Sequence, residues 1–141
     1  MIETIRNFGQ DGAVLFMGLA VGAAWIISIV APNTSYDHLD DGDADDHVRE
    51  LLKSASDPIA VLLLVAGGLA ILGSALVAGI FSLIAAFGFF TNRWTLANVK
   101  SDDKKSQDQK PGKTQRILAV SLTLVFTLIA AASAGLAVLG F

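Results

Sequence analysis

The chain has 141 residues, a formal net charge of −3 and no cysteine, with 53% hydrophobic and only 16% charged residues. A mean hydropathy of +0.60 and a charged fraction well below the roughly 25% of soluble domains place it among membrane proteins. Its polar stretches are too short to bury a core of their own, which excludes a separate soluble domain. The lack of cysteine excludes disulfides, thiolate metal sites and a thiol nucleophile.

Met1 to Asp11 is a mixed segment carrying Glu3 and Arg6. Residues 13–31 then run for about nineteen apolar positions, with Ser28 as the one hydroxyl, and so reach the length of a span. A secretory signal peptide is the competing reading. The apolar part exceeds the roughly 7 to 15 residues of such a signal, and Pro32 sits badly after a cleavage site, so the segment reads as a retained first span ended by Pro32 and Asn33.

The expected polar loop 32–55 is acidic, with Asp37, Asp40, Asp41, Asp43, Asp45 and Asp46 around His38 and His47. A calcium loop starting at Asp41 needs a glutamate at its twelfth position, and Leu52 stands there. No specific metal site is therefore expected. Instead, Asp43, Asp45 and Asp46 suit the positive end of a short helix. Val48, Leu51, Leu52 and Ala55 recur at helical spacing and give that helix an apolar face, to lie on the membrane surface or to lead into the next span.

Pro58 to Phe90 follows, about thirty-three residues without a charge; as one helix it would be roughly 50 Å long against a hydrocarbon core of about 30 Å. A single span would have to tilt by more than about 50°, beyond the usual range of about 0 to 40°. Two spans, 56–73 and 75–96, joined by a turn at Gly73-Ser74 fit better. Three spans with one long tilted helix are the alternative. Asp57-Pro58 has the form of a helix start, an aspartate cap before a first-turn proline. Thr91, Asn92, Arg93 and Trp94 belong at the headgroup level, where tryptophan anchors and arginine reaches for water.

Lys100 to Lys113, within the polar loop 97–116, reads as a solvated linker broken by Pro111-Gly112. The last span is 117–140. With four spans, every base except Arg6 falls on the side of the two polar loops, so the Lys-rich loop 100–113 is expected in the cytoplasm, in a prokaryotic cytoplasmic membrane. A weak internal echo relates Gly68-Leu69-Ala70-Ile71-Leu72-Gly73 to Gly135-Leu136-Ala137-Val138-Leu139-Gly140 and points to two units of span, loop and span.

Function is the harder question. Ionisable residues at mid-depth mark most intramembrane sites, and the spans have none. Both histidines lie in the acidic stretch, which argues against a haem held between spans. There is no Ser-His-Asp set on the spans, no Gly-rich phosphate loop and no HExxH motif. No catalytic, cofactor-binding or metal-binding residue is assigned, and no nucleic-acid partner is expected. What the spans do carry is small residues at helical spacing, which let helices approach closely in lipid. Gly18 and Gly22 form a GxxxG in the first span. Ala75, Gly79, Ser82 and Ala86 line one face of the third, opposite Leu76, Ile80, Leu83, Phe87 and Phe90. Thr123, Thr127, Ala130, Ala134 and Ala137 line the last. The expectation is an all-α polytopic membrane protein, four transmembrane helices in a small bundle of two hairpins. Such a chain is expected to be a non-catalytic structural or accessory subunit that packs in the lipid bilayer against itself or a larger membrane complex. The alternative is a homo-oligomeric channel or carrier for a small solute, with Ser121, Thr123 and Thr127 as its polar lining.

Overall fold

The computed structural model describes the backbone of residues 1–102 and 112–141, and the side chains of these residues except Asp41, 95–102 and 112–116. Among the described residues every regular element is helical. In order they are α1 (Ile2–Trp25), a π turn (Ile26–Val30), α2 (Ala31–His38), α3 (Asp41–Leu72), α4 (Leu76–Asp102) and α5 (Gly112–Leu139). Four helical stretches, Ile2–His38, Gly42–Leu72, Leu76–Trp94 and Ile117–Leu139, are long and apolar enough to cross a membrane. The chain is thus an all-α polytopic bundle, as the length of the central apolar run requires. From Leu76 to Asn92, α4 covers about 24 Å at about 1.5 Å per residue, within one hydrocarbon thickness of about 30 Å.

α1 packs on α3 and α5, α4 packs on the same two helices, and α3 touches α5 only lightly across the middle. Sequence neighbours are therefore spatial neighbours around a square, running alternately up and down, the arrangement that short connections impose. The interior is built mainly from alanine. Ala20, Ala24, Ala60, Ala85, Ala86 and Ala130 surround Leu63 and Phe89 in one cluster, and a second gathers Ala13, Ala66, Ala70, Ala78 and Ala137 around Met17. Small side chains let the backbones come close, so dispersion between main chains replaces the hydrophobic drive that lipid removes. The large apolar side chains mostly point outward, as on Leu19, Leu64, Ile80, Phe87 and Leu128.

The turn between α3 and α4 falls where the apolar run predicts. Ala75 N–H donates to the Ala70 carbonyl at 2.9 Å and Ser74 N–H to the Ile71 carbonyl at 3.1 Å, the paired bonds of a Schellman cap. The left-handed position that this cap needs is taken by Ser74, at φ 67°, and not by the glycine beside it. Gly73 is required for another reason. A Cβ there would lie 2.7 Å from the backbone nitrogen of Gln10, and one on Gly9 would lie 2.8 Å from the nitrogen of Gly73. α1 and the α3–α4 turn thus touch main chain to main chain.

Three expectations need correction. Pro32 and Asn33 do not end the first helix. Proline has no N–H to offer the Ser28 carbonyl, and the chain accommodates it by widening to a π turn, with Ala31 N–H donating to the Ile26 carbonyl, before continuing to His38. Residues 32–55 are consequently not a loop: outside helix there remain only Leu39 and Asp40. Asp57-Pro58 does not start a helix either, since α3 begins at Asp41 and carries Pro58 in its interior. At 32 residues, α3 is about 48 Å long and overshoots the hydrocarbon core of about 30 Å. Its polar first half projects as a stalk whose apolar face, Val48 and Leu52, packs on Ile27, Tyr36, Ala119 and Val120. Asp43, Asp45 and Asp46 lie in the first two turns of that stalk, where the N-cap residue is Asp40, without a side-chain capping bond.

The echo between the second and last spans holds in part. Gly68 and Gly135 are exposed, and Ala70 and Ala137 are buried. Yet Gly140 is itself the left-handed residue of its cap, at φ 77°, whereas Gly73 stands one position before its counterpart. The matched glycines therefore do different work.

Candidate functional site: a polar layer inside the bundle

One helical turn beyond the cluster of Ala24, Ala60, Phe89 and Ala130, each spanning helix turns a polar side chain inward. These are Ser28 in the π turn, Ser56 on α3, Asn92 on α4, and Thr123 and Thr127 on α5, all buried. Each continues its helix's inward stripe at a spacing of three or four residues, which is why the layer forms. Beyond it lies the apolar contact between the stalk and α5.

The hydroxyls of the layer bond to the helices that carry them. Ser28 donates to the Ala24 carbonyl at 2.6 Å, Ser56 to Leu52 at 2.6 Å, Thr123 to Ala119 at 2.7 Å and Thr127 to Thr123 at 2.7 Å. This back-bonding one turn earlier is how a hydroxyl satisfies itself in an apolar helix. Asn92 supplies a side-chain bond between helices here, donating from Nδ2 to Thr123 Oγ1 at 2.9 Å. Its Oδ1 is buried without a partner among the described residues.

Just outside the layer, Arg93 donates from a guanidinium nitrogen to Asp57 Oδ2. The two side chains remain 43% and 40% exposed, so the pair belongs to the rim of the bundle, where water reaches part of it. It ties α3 to α4 at the residues next to Ser56 and Asn92. Deeper down, Ser82 on α4 donates to the Leu63 carbonyl at 2.8 Å. Ser133 on α5 donates to the Ala78 carbonyl at 2.7 Å and lies 3.3 Å from Met17 Sδ.

The residues singled out for helix packing separate into two groups. Gly79, Ser82, Ala86, Thr123 and Thr127 are buried and Ala134 is half-buried; a Cβ on Gly79 would sit 3.2 Å from the Gly67 carbonyl, marking a close α3–α4 approach. Gly18 and Gly22 are not in the interior. Both are exposed, with nothing within 4 Å of an added Cβ. The inward face of α1 is Ala13, Met17, Ala20 and Ala24, one position round the helix, because Met17 is needed to fill the space between α3 and α5. Ser121 is exposed as well.

Sequence reasoning missed Ser133 and Gln10, whose Nε2 donates to the Ala137 carbonyl at 3.2 Å, and it placed Asn92 with the headgroup cluster, whereas Asn92 is buried inside the bundle. For Asn92 a signal existed, since it extends the Ser82, Ala86 (or Ala85), Phe89 stripe by one more step of three. Among the described residues no three His, Asp or Glu side chains gather as a metal site would require. Of the expected loop 97–116, residues 97–102 continue α4 and residues 112–116 open α5, so the loop is shorter than expected at both ends; the rest of the Lys-rich linker, 103–111, lies outside the described residues.

Fold and interior together define a small polytopic helical membrane protein. No protein-family model, curated protein or solved structure matches the chain.

Proposed function

We propose that this protein is a non-catalytic integral membrane subunit, structural or accessory, that packs against itself or a larger membrane complex. The observation that carries the reading is the fate of the buried hydroxyls. Ser28, Ser56, Ser82, Thr123, Thr127 and Ser133 each donate to a main-chain carbonyl. A wetted conduction path needs such groups available to replace an ion's water, and here four are taken up by their own helices while Ser82 and Ser133 bridge to a neighbour. The N-terminus, the α3–α4 turn and Phe141 share one end, linked by Gly9, Gln10 and the bond from Ala78 N–H to the Phe141 carbonyl at 3.1 Å. Arg49, Lys53 and Arg93 lie toward the other end, and their excess of positive charge over the turn end supports a cytoplasmic placement of that end in a prokaryotic cell.

The channel or carrier reading makes the opposite use of the same threonines. Thr127→Val keeps the side-chain shape, and as a packing position it is expected to cost about 1 kcal/mol or less of stability with no solute flux in liposomes before or after. Flux through the wild-type protein that falls on Thr127→Val, at unchanged thermal stability, would establish conduction instead. Chemical cross-linking in native membranes is expected to capture the chain with itself or a larger protein; a purely monomeric pattern would remove the subunit reading.

A further inference from the structure

A groove of ≈ 380 Å³ opens on the side of the bundle between the π turn with α2 and the start of α5. Its walls are apolar, formed by Ile29, Pro32, Val48, Ile117 and Val120. Its lip is polar, with Asn33, Tyr36 and Ser121. The π turn contributes Ser28 and Ile29 to its lining, and the stalk contributes Val48.

Depth decides what such a groove meets. Ser28, at its inner end, lies level with Asn92 and the Asp57–Arg93 rim. Tyr36 is eight residues further, about 12 Å along the helix at about 1.5 Å per residue. That interval is the headgroup region, given a bilayer about 40 to 45 Å thick over a hydrocarbon core of about 30 Å. The groove opens sideways beside exposed Val30, Ile117 and Leu118, so its neighbour in a membrane is a lipid molecule. Asn33 and Ser121 make no hydrogen bond to any described residue and offer an amide and a hydroxyl to ester or phosphate oxygens.

Charge narrows the class of lipid. On the α2–α3 side stand exposed Asp37 and Asp40 together with Asp45, which accepts a hydrogen bond from the Tyr36 hydroxyl at the lip. These carboxylates match the ammonium of an amine-bearing headgroup and disfavour an anionic one. We propose that this groove binds one amine-bearing zwitterionic phospholipid of the phosphatidylethanolamine type, with its glycerol region between Asn33 and Ser121 and its chains running over exposed Val125, one turn deeper on α5. The proposal depends on the membrane-spanning fold and not on the subunit role.

The test uses the full chain in detergent with equal amounts of phosphatidylethanolamine and phosphatidylglycerol, read by native mass spectrometry and thermal shift. One phosphatidylethanolamine is expected to be retained, with about tenfold preference over phosphatidylglycerol. Ser121→Trp fills the groove and is expected to abolish retention, while Leu128→Trp, on an exposed lipid-facing position of the same helix, retains it. Asn33→Ala removes an exposed amide with no fold role and is expected to weaken retention severalfold, which keeps the test sharp if Ser121→Trp folds poorly. Equal retention of the two lipids, no stoichiometric lipid, or undiminished retention in Asn33→Ala would each overturn the proposal.

Discussion

The two ends of the bundle are held by different means. At the turn end, Gly9 meets Gly73 main chain to main chain and Gln10 reaches the Ala137 carbonyl. Apart from the Gln10 amide, the closest contact there is between main chains at glycine, so stability rests largely on backbone approach and dispersion, which fall off steeply with distance. At the polar end the helices are bridged by side chains: Arg93 to Asp57, Asn92 to Thr123, Tyr36 to Asp45. Those contacts tolerate small shifts, because a long side chain can follow its partner. The turn end should therefore be brittle and the polar end compliant.

The largest expected effect tests the brittle end. Gly73→Ala puts a methyl 2.7 Å from the Gln10 nitrogen and 3.0 Å from its Cα, atoms that cannot rotate away, and overpacking of this kind costs about 3 kcal/mol. Chemical or thermal unfolding in mild detergent reads it directly. A loss below about 1 kcal/mol would show that the turn end yields as easily as the other.

At the compliant end a smaller loss is expected. Asp57→Asn leaves the half-exposed Arg93 without its anionic partner at a rim that water reaches, and should cost about 1 kcal/mol. Combining it with Arg93→Gln should recover part of the loss, since neither charge is then left unpaired. A double variant that is simply additive would mean that the ion pair does not couple α3 to α4.

The smallest effect has the opposite sign. Ser74 holds φ 67°, a conformation that costs a residue with a Cβ about 1 kcal/mol. Ser74→Gly relieves that strain and is expected to stabilise the fold by about 0.5 kcal/mol after the added flexibility of the unfolded chain is allowed for. Destabilisation on this change would mean that the serine side chain has a role the cap geometry does not reveal.

Much of the architecture was legible because length is a one-dimensional quantity. About thirty-three uncharged residues cannot cross one bilayer, so the hairpin and its turn at Gly73-Ser74 follow from counting. The face of α4 was legible for a related reason, since Ala75, Gly79, Ser82 and Ala86 alternate with bulky residues at a period that only one helix face satisfies. Where that contrast fades, the sequence misleads. On α1 the small residues are spread round the helix, and the GxxxG at Gly18 and Gly22 looks no different from an interior stripe.

The sequence alone determined that the chain is helical, that it crosses the membrane in hairpins, and where the central turn lies, because apolar length and period 3.6 are local properties. Only the tertiary structure decided which glycines touch a neighbour, that Pro32 and Pro58 stay inside helices, and that Asp57 pairs with Arg93 thirty-six positions away. A proline breaks a helix in isolation, but packing on the stalk and on α5 outweighs one missing hydrogen bond. A glycine is indifferent to burial until another backbone arrives beside it, and where that backbone comes to lie is set by the whole bundle.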